Sequence, residues 1–247
     1  MFEREVYVYN VLLPELVAFQ KEKKITRSQG FYNFPKVYYA DYDEELKDGI
    51  IIMEDLRDTG HRMWDKYKPI DLEHAKLLMM ALGRLHALSF AMKIKKPEQF
   101  EKFRKLQDIY GSLMNDEGTK SFLDASLQQA LSTLDTNDLK SRKKFEGMME
   151  SINAIMQNDL YSAEPYSVFN HGDCWVNNML YHYTKRGRPE EIVQIDWQIS
   201  RYCSPVQDLV YFIFICTDKK MRNNHFDELL NVYHRSLKDL LDHLGGN

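Results

Sequence analysis

The sequence predicts an α+β protein in which a small amino-terminal part carries two short strands and the remainder is mainly helical. Two pairs of short runs rich in β-branched and aromatic residues mark strands, and apolar residues recur at helical spacing along most of the chain. The 247 residues, 44% of them apolar, can bury a substantial core as one large domain or two small lobes.

The first helix is expected at residues 2–19, with a kink near Pro14, because a proline inside a helix removes one hydrogen bond. Two strand-like runs follow, at residues 35–41 and 49–53, and the acidic turn DYDEELKD between them predicts a hairpin. Further helices are predicted at residues 72–92, 103–131, 139–160 and 226–244, which show apolar faces at helical spacing.

Composition excludes several classes of function. A net charge of −4 with interspersed signs makes nucleic acid or an anionic membrane an unsuitable main partner. The three cysteines, Cys174, Cys203 and Cys216, lack metal-ligand spacing and indicate a reducing compartment, so a cytoplasmic location is expected. The amino terminus does not resemble a secretory signal. No membrane span is expected, since the longest apolar stretch, residues 209–216, is about half of the roughly 20 residues required.

A second hairpin is predicted from the strand-like residues 179–184 and 192–195, which KRGRPEE joins. In an antiparallel pair, Asn178 before the first strand and Asp196 after the second would lie side by side, with Cα atoms roughly 4.5–5.5 Å apart. Asp173, in the sequence His-Gly-Asp, lies on the loop that enters the first strand. An amide and two carboxylates at one end of a hairpin predict a site for Mg²⁺ that leaves positions for phosphate oxygens.

Phosphoryl transfer requires such an arrangement, with one Asp accepting the proton of the attacking hydroxyl while an Asn and another Asp hold the metal. His-Gly-Asp alone is a common tripeptide, and paired asparagines usually mark turns. The ordered combination of His-Gly-Asp, Asn178 five residues after Asp173, a hairpin and then Ile-Asp-Trp favours a kinase-like ancestry.

These residues resemble a known family. HGDCWVNNML followed by IDWQISRYCSPVQDLVYF is similar to the carboxy-terminal lobe of the aminoglycoside phosphotransferase and choline kinase superfamily, most closely its ecdysteroid kinase-like branch. The resemblance extends to GIIIMEDL, LGRLHALSFAM and FEREVYVYNVLLPEL, and so covers nearly all of the chain. It implies a protein-kinase-like fold, with residues 1–56 as a remnant of the amino-terminal lobe and hinge and residues 57–247 as the helical lobe.

The resemblance also implies an activity: transfer of the ATP γ-phosphate to a small-molecule hydroxyl, with a steroid-like alcohol favoured and with ATP and Mg²⁺ as cofactors. Asp173 would be the catalytic base, and Asn178 and Asp196 would be the Mg²⁺ ligands. His171 would support the loop, and Glu5 would form an ion pair with an ATP-binding lysine.

The roles of other residues are implied by the same resemblance or have simpler structural explanations. Asp208, in the first turn of a helix, would either complement the helix dipole or also brace the catalytic loop, and the sequence leaves both open. His86 is expected to be a packed, hydrogen-bonded histidine, and Cys174 a small buried side chain. The hinge residues that would bind ATP are Met53, Glu54, Asp55 and Leu56.

The sequence departs from the family at its amino terminus, where it begins at the glutamate helix. The strands, phosphate-covering turn and lysine that the family carries before this helix have no counterpart later in the sequence. The departure predicts a shortened small-molecule kinase that is impaired in this form. A noncatalytic pseudokinase that binds a ligand or protein is the alternative. A metal-dependent phosphatase fits less well, because the scattered histidines supply no further ligand motif.

Overall fold

The computed structural model describes residues 1–106, 116–154 and 164–245. Within these residues the protein is α+β, as predicted, with a helical carboxy-terminal part and a few short strands. Its α-helices are α1 Phe2–Tyr7, α2 Leu13–Glu22, α3 Leu72–Lys95, α4 Pro97–Arg104, α5 Glu117–Ser132, α6 Leu139–Ala154, α7 Val206–Cys216 and α8 Lys219–His243. Its strands are β1 Val37–Asp43, β2 Asp48–Met53, β3 Arg62–Met63, β4 Val168–Asn170, β5 Met179–Tyr183, β6 Pro189–Gln194 and β7 Arg201–Cys203.

The first helical segment continues from α1 into α2 through a π-helical segment, Val8–Leu12. Pro14 lies in the first turn of α2 and has no backbone N–H to donate. The irregularity expected near Pro14 is therefore found just before it, as a π segment that changes the hydrogen-bond spacing within one continuous helix. This segment and α2 bury Val8, Leu12 and Leu16 in the main core.

The predicted amino-terminal hairpin is present as the antiparallel pair β1–β2, in which Ala40 lies opposite Ile51. One face of the hairpin lies against the first helix, where Asn10 donates a hydrogen bond of 2.8 Å to the carbonyl of Ala40. The other face leaves Ile50 and Ile52 exposed by 48% and 46%.

Helix α3 is the central core helix and packs against α8. It is the one helix among the described residues that is long and apolar enough, by length and composition, to cross a membrane, and 67% of its apolar window is buried inside the protein. The expectation that no segment has the required length was wrong. The burial of α3 against α8 accounts for its apolar composition without a membrane.

Two predicted helices require correction. The single helix expected at residues 103–131 was wrong, because α4 ends at Arg104 and α5 begins after Asp116, whose carboxylate accepts a hydrogen bond from the backbone of Thr119 at 2.8 Å. Residues 107–115, and residues 155–160 of another predicted helix, lie outside the described residues. Helix α8 begins earlier than predicted, because Asp218 caps it by accepting from the backbone of Met221 at 2.7 Å.

The second predicted hairpin is confirmed as β5–β6, and the sheet gains β3, which pairs with β5. The antiparallel pair β4–β7, which joins residues 168–170 to residues 201–203, was not predicted. This pair brings together the two ends of the segment that contains His-Gly-Asp, Asn178 and Asp196. The candidate site therefore lies on one segment of chain whose two ends are paired as strands.

Candidate active site

The turn at His171-Gly172-Asp173 follows β4 directly. Gly172 has φ +90°, and a Cβ at this position would lie 2.4 Å from the carbonyl oxygen of Ile199, so both the backbone conformation and the space require glycine. The Ser200 hydroxyl donates a hydrogen bond of 3.1 Å to the His171 carbonyl. The loop is therefore held against the segment that follows Asp196.

Asp208 braces this loop from α7. Its carboxylate is 1% exposed and accepts hydrogen bonds from the backbone N–H groups of His171 and Gly172, both at 2.8 Å. Burial alone would raise the pKa of Asp208, but hydrogen bonds from His86 and from the loop backbone lower it below its usual value. Of the two roles left open by the sequence, the side-chain contacts are those of a loop brace, while its place in the first turn also suits the helix dipole.

His86 lies behind Asp208 on α3, fully buried. Its Nε2 is 3.4 Å from the Asp208 carboxylate, and its Nδ1 is 2.9 Å from the Tyr233 hydroxyl on α8. The expectation of a packed, hydrogen-bonded histidine is confirmed. Cys174 is likewise fully buried, as expected of a small core side chain.

His171 is a neutral imidazole that connects the loop to the second hairpin. The backbone N–H of Asp173 donates to Nδ1 at 3.2 Å, so Nε2 carries the proton and donates to the carbonyl of Ile195 at 3.1 Å. Burial lowers the pKa of His171, which favours this neutral form. His171 thus links Asp173 to the residue that precedes Asp196.

The carboxylate of Asp173 is held at both oxygens. Oδ2 accepts a hydrogen bond from the side-chain amide of Asn178 at 2.9 Å, and Oδ1 accepts one from the hydroxyl of Tyr211 at 2.7 Å. The Asn178 amide also donates to the backbone carbonyl of Asp173 at 3.1 Å. With its amide nitrogen directed at Asp173, the oxygen of Asn178 remains for another partner.

Asn178 and Asp196 converge at the end of the β5–β6 hairpin, with a difference of one residue from the predicted pairing. Met179 lies opposite Gln194, and the backbone N–H of Ile195 donates to the Asn178 carbonyl at 3.0 Å, so Asp196 follows the residue that faces Asn178. Asp196 has φ +66°.

The Asp196 carboxylate meets a condition for binding a cation. Its Oδ1 is buried and has no hydrogen-bond partner among the described residues. Burial, followed by the charge of Asp173, raises the pKa of Asp196. A divalent cation would satisfy the unpaired oxygen and offset the repulsion between the two carboxylates. The described residues hold no group of three or more His, Cys, Asp or Glu side chains placed to bind a metal, so such an ion would need further ligands from phosphate or water.

Glu5 contacts the segment immediately after Asp196. Its Oε1 accepts a hydrogen bond from the backbone N–H of Trp197 at 3.2 Å, while the neighbouring Arg4 donates to the carbonyl of Ser200 at 2.7 Å. Burial, and then the charge of Asp196, raises the pKa of Glu5 to about 7. No lysine is among the groups that shift this pKa, so within the described residues the predicted ion pair is not formed.

The four predicted hinge residues differ from one another in burial and in their contacts. Met53 ends β2, and the Glu54 carboxylate accepts from the backbone of Lys36 at 2.6 Å. Asp55 forms an exposed ion pair with Arg57, 2.7 Å between Nη2 and Oδ2. Leu56 is buried in a small apolar cluster with Leu180 and Val193, against which Ile195 packs. The cluster brings the end of the hinge next to the strand that leads to Asp196.

Comparison with known proteins gives a family. The model of the ecdysteroid kinase-like family matches residues 1–246. The chain belongs to the ecdysteroid kinase-like family. The predicted kinase-like fold rests on this membership, and no curated protein matches the sequence.

The solved structures that match this ecdysteroid kinase-like chain share little sequence with it. An amicoumacin kinase in complex with AMP-PNP and Ca²⁺ is 13% identical, with a TM-score of 0.47, over 94% of this chain and 66% of that one. An aminoglycoside-3'-phosphotransferase of type VIII is 16% identical, with a TM-score of 0.46, over 94% and 80%. A Plasmodium vivax ethanolamine kinase is 15% identical, with a TM-score of 0.41, over 94% and 63%. The chain thus spans about two thirds of the length of the first of these proteins.

Sequence reasoning missed one contact in the site of this ecdysteroid kinase-like protein. Tyr211 touches Asp173, but a tyrosine in the apolar stretch of a helix gave no sign of a polar role. A usable signal was its spacing: Tyr211 follows Asp208 by three residues, which places both on one face of α7.

Proposed function

We propose that this protein transfers the γ-phosphoryl group of ATP to the hydroxyl of a small molecule, with an apolar, steroid-like alcohol as the favoured acceptor. The observation that carries the proposal is the environment of Asp173. Its two carboxylate oxygens are held by Asn178 and Tyr211, and the unpaired oxygen of Asp196 lies at the end of the adjacent hairpin. Membership in the ecdysteroid kinase-like family supports the same reaction class.

Asp173 is the proposed base. The acceptor oxygen forms a bond to the γ-phosphorus while the bond from that phosphorus to the β,γ-bridging oxygen breaks, and ADP leaves with the electron pair. The proton of the acceptor hydroxyl passes to the Asp173 carboxylate. Each carboxylate oxygen has two lone-pair sites, so the bonds from Asn178 and Tyr211 leave room for this proton.

Asn178 and Asp196 are the proposed Mg²⁺ ligands. The oxygen of the Asn178 amide and the unpaired Oδ1 of Asp196 are hard ligands of the kind this ion prefers, and two protein ligands suffice where phosphates supply others. When bound, Mg²⁺ would neutralise negative charge on the nucleotide phosphates. His171 would hold the two parts of this site together, because it bonds to Asp173 and to the residue before Asp196.

The nucleotide base is proposed to lie along the hinge, residues 53–56. The buried apolar cluster of Leu56, Leu180 and Val193, against which Ile195 packs, holds the end of the hinge next to the strand that leads to Asp196, so an adenine ring along the hinge would lie close to the proposed metal ligands. Glu5 is proposed to act on the same region through its hydrogen bond from the backbone of Trp197.

The apolar surface beside Tyr211 supports the choice of acceptor. Phe214 and Ile215, three and four residues after Tyr211 on α7, are exposed by 56% and 62%. Residues at these spacings neighbour one another on a helix surface, so both lie close to the side chain that contacts the base. A rigid apolar alcohol resting on them could direct a hydroxyl at Asp173.

The proposed location is the cytoplasm. Cys174 and Cys216 are free thiols, and all three cysteines, Cys203 included, are buried, which suits a reducing compartment.

The test is transfer of radiolabelled γ-phosphate from ATP, with Mg²⁺, to a panel of steroid alcohols and amino alcohols. We expect a labelled product from a steroid alcohol, and turnover about 10²–10⁴-fold lower for Asp173→Asn, the usual scale of general-base catalysis. Asp227→Asn, an exposed carboxylate on α8, is the matched control and should be as active as wild type. Transfer to no alcohol, or undiminished transfer by a folded Asp173→Asn protein, would contradict the proposal.

A further inference from the structure

Helix α7 contacts the catalytic loop through two side chains with different targets. Asp208 accepts from the loop backbone at His171 and Gly172, whereas Tyr211 donates to the side chain of Asp173. The two lie three residues apart, on one face of the helix. Successive residues of the loop are thus fixed by one face of a single helix, first through the backbone and then through the carboxylate.

We propose that Tyr211 is a positioning residue that sets the orientation of the Asp173 carboxylate towards the acceptor hydroxyl. The inference rests on the proposed function, because it assigns Tyr211 a role in the reaction for which Asp173 is the base. Tyr211 itself exchanges no proton with the acceptor in this proposal. It acts through Asp173 alone.

The two oxygens of Asp173 show why a second anchor is useful. The bond from Asn178 fixes Oδ2, but a carboxylate held at one oxygen still turns about its χ2 torsion, which is broad and roughly twofold. The bond of 2.7 Å from Tyr211 fixes Oδ1 and removes this freedom. A base must be held in near-attack geometry to be efficient, so a small rotation lowers turnover without changing how substrates bind.

The position of the Tyr211 hydroxyl is set by the core rather than by the loop. Tyr211 is half-buried and packs against the main core, and its neighbours Phe212 and Ile213 are buried. Asp208, one turn earlier, ties the same helix to the loop backbone. The core therefore sets the position of the Tyr211 hydroxyl, and the Asp173 carboxylate takes the orientation that this hydroxyl requires.

The test compares steady-state kinetics of wild type and Tyr211→Phe, using ATP and the acceptor from the panel above that gives the highest Asp173-dependent turnover. We expect kcat to fall about tenfold with both KM values within about twofold, since only the orientation of the base changes. The matched control is Tyr183→Phe, which removes a hydroxyl bonded to His74 on α3 and should leave kcat unchanged. Equal kcat values for Tyr211→Phe and wild type would overturn the inference.

A double-mutant cycle separates positioning from a general structural effect. In the Asp173→Asn background, Tyr211→Phe should cause no further loss of turnover, because the carboxylate through which Tyr211 acts is already absent. Losses that multiply would show that Tyr211 acts independently of Asp173 and would overturn the inference. Undiminished activity of Asp173→Asn alone would instead contradict the proposed function.

Two further measurements test the inference if Tyr211→Phe destabilises the fold or if no acceptor gives measurable turnover. If Tyr211→Phe lowers the melting temperature, Tyr211→4-aminophenylalanine restores a donor in the same place and should recover kcat to within about threefold of wild type. A crystal structure of Tyr211→Phe needs no acceptor, and we expect the Asp173 carboxylate to be rotated or to occupy two orientations. An unchanged carboxylate there, or no recovery by the donor analogue, would overturn the inference.

Discussion

The catalytic loop and the hinge are both short connections that carry predicted site residues, yet the structure holds them in opposite ways. The loop at His171-Gly172-Asp173 is fixed by buried Asp208, by His171 and by Tyr211. In the hinge, partly buried Glu54 accepts a hydrogen bond from the backbone of Lys36, and exposed Asp55 pairs with Arg57 on the surface. The difference indicates that the core fixes the geometry of the proposed base and metal ligands, whereas the acidic side chains of the hinge are fixed only by contacts near the surface.

The largest effect should come from removing the buried brace of the loop. Asp208→Ala leaves two buried backbone N–H groups and His86 without their acceptor, so we expect the free energy of unfolding to fall by about 3–5 kcal/mol. The hinge provides the matched carboxylate: Asp55→Ala breaks an exposed ion pair with Arg57 and an exposed hydrogen bond from the Arg57 backbone, and should change stability far less. Chemical denaturation of both variants measures the contrast, and similar losses would show that the loop is not specially anchored.

A second comparison concerns two glycines with positive φ. Gly172→Ala introduces a Cβ 2.4 Å from the Ile199 carbonyl at φ +90°, and we expect a loss of about 2–3 kcal/mol in unfolding free energy. Gly187, in the turn between β5 and β6, has φ +77° and open space around it, so Gly187→Ala should cost only about 1 kcal/mol of backbone strain. Equal losses would mean that the close approach at Ile199 is unimportant.

The smallest effect should be the dependence of stability on pH at Glu5. Burial raises its pKa from 4.5 to about 7, so its contribution to stability is fully present below pH 4.5 and is lost as pH rises through 7. The shift corresponds to roughly 3 kcal/mol, and solvent screening of this partly exposed group reduces the expected loss to about 1–2 kcal/mol. In EDTA, Glu5→Gln should abolish this decline. The same pH profile for wild type and variant would refute the assignment.

The sequence predicted those parts of the fold and site that depend on local pattern. Both hairpins were recognised from short strand-like runs joined by turn residues, and the spacing of Asn178 from Asp173 located the site. The π segment before Pro14 and the pairing of β4 with β7 were not predicted. A three-residue strand is too short to show a periodicity, and its partner lies some thirty residues away in sequence.

The missed contact at Tyr211 has a similar physical cause. Its ring packs against the core, as the apolar surroundings in sequence predict, but its hydroxyl reaches Asp173, which lies 38 residues earlier in the chain. Only the path of the chain through β4, the hairpin and β7 brings the two together. Helix boundaries failed for a more local reason, since the aspartate caps at Asp116 and Asp218 were not weighed against the apolar periodicity.

The central claim is that Asp196 and Asn178 share one Mg²⁺ with ATP, and calorimetric titration of Mg·ATP into the protein tests it most directly. We expect binding that depends on Mg²⁺, with Asp196→Ala weakening it more than Asn178→Ala because it removes a full charge from the metal site. Asp227→Asn serves as the control and should bind as wild type does. Mg²⁺-dependent binding that is unchanged in both site variants would contradict the account.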